Sequence, residues 1–249
     1  MKVTVLKSGS KGNSTLIEIN NLNILIDAGI TLKELKNYNS NINIDVILIT
    51  HSHSDHTSGL KLLYKEFKPL IYTRNEEVLN SPSYKSIYLE EELTLDTLNI
   101  KSFNLSHDSF CIGFLIKDTL DNNELVYITD TGYISQKVLN IIKNKNTYII
   151  ESNHDTELLM NGPYPFYLKQ RILSDTGHLS NKDVCKYLKT LIGPLTKTVI
   201  LAHLSEHNNT PSVAYEELNN MLVKNNIKLD KVLIAKQKEV LEKFADFVV

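Results

Sequence analysis

Residues 51 to 56 read His-Ser-His-Ser-Asp-His, four ligand-type side chains in six positions, directly after the apolar run Val46-Ile47-Leu48-Ile49 and Thr50. In an extended stretch alternate residues share a face, so His51 and His53 can clasp one cation while the turn at Asp55 and His56 points at a second. Three further apolar runs stop at the same kind of residue. Phe103-Asn104-Leu105-Ser106 ends at His107, Tyr127-Ile128-Thr129 at Asp130, and Ile200-Leu201-Ala202 at His203. A ligand at a strand end is held by the sheet's hydrogen bonds, so little ordering entropy remains for a metal to overcome. A lone histidine at such a place is usually a surface or internally satisfied residue. Beside the His-rich run the reading changes, because stacking this many histidines and carboxylates for packing alone would cost too much. Seven groups also exceed what one tetrahedral zinc accepts, whereas two cations about 3.5 to 4 Å apart, bridged by Asp130, would use them all. Histidine and aspartate sites accept zinc, manganese or iron, and affinity order alone does not select among them.

The elements that must position these groups are short β-branched runs. They fall at Lys2–Leu6, Thr15–Ile19, Asn23–Ile26, Asp45–Ile49, Leu70–Thr73, Lys101–Leu105, Cys111–Ile116, Leu125–Thr129, Thr147–Ile150 and Thr198–Leu201, giving at least nine strands. Helical periodicity appears in Leu60–Phe67, Ile134–Lys143, Asn181–Leu191 and Ser212–Asn225. Strands come first as hairpins and later alternate with helices, which predicts a mixed α/β layer structure with at least two sheets. Leu120–Asn123 reads as a hairpin turn and Asn161–Pro165 as a loop. No repeat of 20 to 50 residues and no low-complexity linker divides the 249 residues, so residues 1–249 are expected to form a single domain.

Composition narrows the classes. With 27 basic and 29 acidic residues, a net charge of −2, and 42% hydrophobic residues, the chain is an ordinary globule and not a disordered tail. No apolar run approaches a membrane span, and Met1–Leu6 lacks a signal-peptide core, which predicts a cytoplasmic protein with no membrane partner. Cys111 and Cys185 are the only cysteines, which excludes a disulfide scaffold and a CxxC zinc knuckle. No protein partner is legible.

HSHSDH at 51–56, with LIDAG at 25–29 before it, resembles the metallo-β-lactamase superfamily over nearly the whole chain. The resemblance implies an α/β (α+β) fold, a four-layered αβ/βα sandwich of two mixed sheets flanked by helices. It implies one metal on His51, His53 and His107, a second on Asp55, His56 and His203, and Asp130 between them. Asp27 matches the acidic strand-end residue that orients the histidine loop.

The superfamily hydrolyses several ester and amide classes, so subgroup motifs must decide. SGSKGNS at 8–14, SHD at 106–108, TDTG at 129–132, ESNHD at 151–155, GHLSN at 177–181 and AHLS at 202–205 resemble the YycJ (WalJ) branch, a DNA exonuclease group close to the tRNA-processing RNase Z enzymes. In Leu204-Ser205-Glu206-His207-Asn208-Asn209 an acidic residue is expected where His207 stands. The resemblance implies a phosphodiesterase with two divalent ions, zinc or manganese, cutting DNA from the 5′ end. A metal-bridging hydroxide would attack phosphorus, with Asp55, His154 and His178 as catalytic residues and a nearby histidine protonating the leaving alkoxide. It also places Asn13, Ser180 and Asn208 against a nucleic-acid substrate, DNA in preference to RNA. A ribonuclease and a small-molecule hydrolase acting on a cyclic phosphodiester or acyl ester remain the alternatives. The SGSKGNS run lacks P-loop spacing, so it reads as a glycine-rich turn. Net charge does not advertise nucleic-acid binding; Lys182, Lys186 and Lys189, at i, i+4 and i+7 after the Ser180 cap, offer a local basic face.

Overall fold

The computed structural model describes residues 1–237 and 239–244. The chain forms two compact units, Met1–Glu90 joined by the chain from Lys236, and Glu91–Ala235. Each has its own sheet and its own core.

In the first unit the elements run β1 (Lys2–Lys7), β2 (Ser14–Ile19), β3 (Leu22–Ile26), α1 (Leu32–Tyr38), β4 (Val46–Ile49), α2 (Ser54–Thr57), α3 (Leu60–Phe67), β5 (Leu70–Thr73), α4 (Glu76–Leu79) and β6 (Ile87–Tyr88). The second unit carries β7 (Glu92–Leu95), β8 (Leu98–Leu105), β9 (Cys111–Asp118), β10 (Glu124–Ile128), α5 (Gln136–Ile142), β11 (Thr147–Glu151), α6 (Thr156–Asn161), α7 (Phe166–Leu173), α8 (Asn181–Leu191), β12 (Thr198–Ala202), α9 (Pro211–Lys224) and β13 (Lys231–Ile234). The last strand, β14 (Leu241–Phe244), returns to the first unit.

The two sheets have the same plan. The first is ordered β14-β1-β2-β3-β4-β5-β6, antiparallel from β14 to β3 and parallel from β3 to β6. The second is ordered β13-β12-β11-β10-β9-β8-β7, antiparallel from β7 to β10 and parallel from β10 to β13. Parallel strands are buried on both faces and so read as continuous apolar runs; Val46-Ile47-Leu48-Ile49 in β4 and Thr198-Val199-Ile200-Leu201-Ala202 in β12 are buried throughout.

In the first core Leu16, Leu25, Ile47 and Ile71 of the sheet meet Leu35 of α1 and Leu60 and Leu63 of α3. In the second, Val126, Tyr148, Ile150, Val199 and Leu201 meet Val138 of α5, Leu188 of α8 and Leu218 of α9. No helix among the described residues is long and apolar enough to cross a membrane.

Helices α3 and α8 have the bounds their periodicity predicts, and the hairpin turn before β10 lies where Leu120–Asn123 places it. Strands β6, β7, β13 and β14 were not anticipated, and β8 begins at Leu98, three residues earlier than Lys101. Edge strand β7 reads Glu-Leu-Thr-Leu with no buried position, so pairing rather than burial defines it. The α1 helix also lacks a long apolar stripe. A capping box starts it, Thr31 accepting from Glu34 N–H while the Glu34 carboxylate accepts from Thr31 N–H.

Candidate functional site

Ligand-type residues gather at the carboxyl ends of parallel strands in each unit, the crevice where open α/β sheets bind. In the first unit Asp27 follows β3 with φ +60°, a left-handed conformation that costs a non-glycine residue roughly 1–2 kcal/mol. The strain aims a fully buried carboxylate. Asp27 Oδ1 accepts from Thr50 N–H at 2.9 Å and from Thr50 Oγ1 at 3.0 Å, and Oδ2 accepts from His56 Nδ1 at 2.7 Å. Thr50 has one hydroxyl proton and gives it to Asp27, so at 2.9 Å from His51 Nδ1 its oxygen accepts from that ring. One carboxylate thereby fixes the tautomer of His51 and of His56, turning each Nε2 into the lone-pair nitrogen. Burial pushes the Asp27 carboxyl up, against the lowering effect of His56 and the Thr50 hydrogen bonds.

The imidazoles lie together: the His51 ring centroid is 4.6 Å from that of His53 and 4.1 Å from that of His56. Asp55 Oδ2 lies 3.4 Å from His56 Nε2. Asn13 is held by Gly9, whose N–H donates to Asn13 Oδ1 at 2.8 Å, and its amide nitrogen lies 2.9 Å from His56 Nε2 and 3.2 Å from Asp55 Oδ2. Asn13 is therefore an interior residue that positions two expected ligands.

In the second unit Asp130 follows β10 with φ +57° and His203 follows β12 with φ +54°. Between them Glu151 ends β11, fully buried. Its Oε1 accepts from Nδ1 of both His178 and His203 at 2.7 Å, and Oε2 accepts from the N–H groups of Thr131 at 3.1 Å and Leu179 at 3.0 Å. Burial pushes this carboxyl up, but the two histidines outweigh it and hold it down at about 2. His178 in turn is pulled down by burial and raised on balance by the charge and hydrogen bond of Glu151.

Ligand-type atoms of Asp130, Glu151, His178 and His203 lie within 4.8 Å of one another, and within this cluster Glu151 takes the Nδ1 protons of both histidines. The His107 ring is 5.3 Å from His178, and its Nδ1 donates to the Gly177 carbonyl at 3.3 Å. Burial lowers His107, which favours the neutral form a metal needs. His154 is 1% exposed with neither ring nitrogen hydrogen-bonded, and burial holds it down at about 4. A buried neutral imidazole open at both nitrogens, beside carboxylates and oriented histidines, fits a site built for a cation and its substrate.

Two of the expected substrate contacts also bond within the protein. Ser180 is buried and caps α8, accepting from Asp183 N–H at 3.1 Å and donating to the Asp183 carboxylate at 2.6 Å. Asn208 is fully buried, its N–H and amide directed at the Ser205 hydroxyl at 3.2 and 3.3 Å. His207, the departure from the motif, is exposed and stacks edgewise on Tyr164 at 5.8 Å. Lys182, Lys186 and Lys189 are exposed on α8, with Lys186 bonded to Asp183 at 2.8 Å.

Sequence reasoning missed Glu151 and Thr50. Glu151 follows Tyr148-Ile149-Ile150 as Asp130 follows Ile128-Thr129, so the strand-end signal was present and unused. Thr50 carries no such signal. A network of Asn181, Asn209 and Ser152 was missed as well: Ser152 donates to Asn181 Oδ1 at 2.6 Å, and the Asn209 amide donates to the Ser152 carbonyl at 2.9 Å.

The fold and the two sets of oriented histidines and carboxylates define a metallo-hydrolase class. Residues 22–204 match the Beta-lactamase superfamily domain, and the chain belongs to that superfamily. Over 237 residues the chain is 36% identical to Exodeoxyribonuclease WalJ of Streptococcus pneumoniae serotype 2, covering 89% of this chain and 88% of that one. It is equally similar, 36% over 234 residues and 88% of each chain, to Exodeoxyribonuclease YycJ of Bacillus anthracis. The metallo-beta-lactamase fold protein YhfI of Bacillus subtilis superposes with a TM-score of 0.75 at 20% identity, over 97% of this chain and 99% of that one, which establishes the fold.

Proposed function

We propose that this chain is a metal-dependent phosphodiesterase that degrades DNA as an exonuclease from the 5′ end. The observation that carries the reading is the pair of buried carboxylates, Asp27 and Glu151, each fixing imidazole Nδ1 protons. At His56 and His203 that arrangement leaves the Nε2 lone pairs for cations, in a chain 36% identical to exodeoxyribonucleases.

His51, His53 and His107 would hold one divalent ion and Asp55, His56 and His203 another, with Asp130 serving both, as the family resemblance implies. Zinc and manganese both suit this donor set. Bound cations would supply charge against the developing negative phosphoryl oxygens and acidify a water. The residues do the rest. Glu151 keeps His178 protonated at Nδ1 and raises its proton affinity, so His178 can hand a proton from Nε2 to the leaving 3′ or 5′ oxygen. Neutral His154 can hydrogen-bond the scissile phosphate without adding a fixed charge. Asn13 holds Asp55 and His56, whereas Ser180 and Asn208 act through the local fold. The family match runs through both units, which supports one functional domain. Cys111 and Cys185 are both buried, and the cytoplasm is the compartment this reading assigns.

The test is metal analysis followed by digestion of end-labelled linear and circular DNA and of RNA. Two ions per chain, early release of a 5′ label in small products, and resistance of circular single strands are expected. One ion or none after reconstitution would sink the dinuclear centre, rapid nicking of circles would show an endonuclease, and preference for RNA would turn attention to 2′-OH contacts.

A further inference from the structure

The turn between β1 and β2 carries more than Asn13. Lys11 is exposed and lines a cavity of about 520 Å³ built entirely from the first unit. Leu6, Ile30 and Val240 supply apolar wall, Tyr38 an aromatic ring, and Asn37 and Gln237 side-chain amides. The glycines of the turn make this wall possible. A Cβ on Gly9, at φ +131°, would lie 2.6 Å from the Gln237 side chain, and one on Gly12, at φ +152°, would lie 2.9 Å from Lys7 and 2.0 Å from the Gly29 carbonyl. Glu34, also in the lining, is engaged by Thr31 and by Lys7 at 3.0 Å, and Lys11 brings a further ammonium to the same wall.

We propose that this cavity is a nucleotide pocket, taking the base and sugar of a deoxynucleotide in the strand being degraded, with Lys11 at its phosphate. The volume lies within the roughly 300–1,000 Å³ of small-molecule sites. An aromatic ring, apolar wall and two amides suit a base, whose face stacks and whose edge offers donors and acceptors. Reach fits too. Lys11 and Asn13 are two residues apart in one turn, at most about 7 Å along the backbone. A strand that meets Lys11 therefore lies at the same turn as Asn13, which contacts Asp55 and His56. The use of the pocket on DNA rests on the nuclease reading; its affinity for a free nucleotide does not.

The experiment titrates dAMP, dTMP and inorganic phosphate separately into the protein in EDTA by calorimetry, then repeats this with Lys11→Glu and Asn37→Trp, two exposed positions where the fold should persist. Both nucleotides should bind, phosphate alone at least about tenfold more weakly, and each variant should weaken nucleotide binding by about tenfold or more. KM for single-stranded DNA should rise in both variants while hydrolysis of bis(p-nitrophenyl) phosphate is unchanged. Phosphate binding as tightly as nucleotide, or no nucleotide binding, or indifference to both variants overturns the pocket. DNA degradation with KM unmoved by either variant also overturns it and leaves the nuclease reading standing. Variant-sensitive nucleotide binding in a protein that cuts no DNA or RNA supports the pocket and sinks the nuclease reading.

Discussion

The two units run the same sheet plan, antiparallel strands followed by parallel ones, and each puts a buried carboxylate at the carboxyl end of a parallel strand to hold imidazole Nδ1 protons. They differ in how much each carboxylate carries. Asp27 holds His56 directly and His51 through Thr50, with Thr50 N–H as its backbone donor. Glu151 holds His178 and His203 directly and takes two backbone N–H groups, one from the loop after β10 and one from the segment before α8. The first arrangement orients adjacent residues of one loop. The second ties together residues from 131 to 203, so it is a keystone of the fold as well as of the site.

That contrast predicts unequal damage. Asp27→Asn should lower metal affinity by about 10- to 100-fold, the usual cost of losing an orienting partner, while the unit stays folded. Glu151→Ala should lose metal affinity at least as badly and destabilise by about 3–5 kcal/mol, because two imidazoles and two N–H groups are left without an acceptor in the interior. Chelator competition and urea denaturation read the two effects. Equal stability losses in the two variants would break the comparison.

His178 separates orientation from chemistry. His178→Ala leaves Glu151 with His203, so metal content should hold while DNA cleavage slows by about 10² to 10⁴. On a nitrophenyl phosphodiester, whose leaving group needs no proton, the loss should shrink. If the variant loses metal instead, His178 is a ligand and the proton donor must be sought at His203. A finer cut sets Asp130→Ala against His154→Ala. The first should reduce metal content more, since Asp130 is assigned to both ions and His154 to neither; equal content would overturn both assignments.

Much of this was legible in residue types. The strand ends at His51, Asp130 and His203 were visible because several apolar runs stop at ligand-type residues beside one His-rich loop, and α8 was visible because Ser180, Asp183 and a buried stripe agree. The matching plan of the two sheets was not, since strand pairing leaves no repeat in side-chain type. Burial was the other blind spot. Asn208 and Ser180 look like rim residues in a polar motif, and only packing shows that their partners are Ser205 and Asp183.

The basic face of α8 tests whether the second unit also carries recognition. Reversing Lys182 and Lys189 should weaken DNA binding and flatten its salt dependence by about 0.7 to 0.9 in log K per log salt for each phosphate no longer neutralised. A small phosphodiester should be unaffected. Lys186 should contribute less, because Asp183 already engages it.

The smallest effect concerns the two helix caps, which again pair the units. At α1 the Glu34 carboxylate serves the Thr31 cap and Lys7; at α8 the Asp183 carboxylate serves the Ser180 cap and Lys186. Burial pushes each carboxyl up, and these hydrogen bonds outweigh it, so both lie below their ordinary values in the folded state. A depressed folded value means the stabilisation is complete above the unfolded pKa, about 4.3 for Glu and 3.9 for Asp, and is lost as pH falls through the folded one. Glu34→Gln and Asp183→Asn should therefore each cost less than about 1 kcal/mol at pH 7, as exposed pairs do. The gap from the parent protein should narrow steadily below about pH 4. Urea denaturation at pH 7 and at pH 3 measures it. A gap that stays constant would mean the amide loses something other than charge, and one that widens at low pH would reverse the assigned direction.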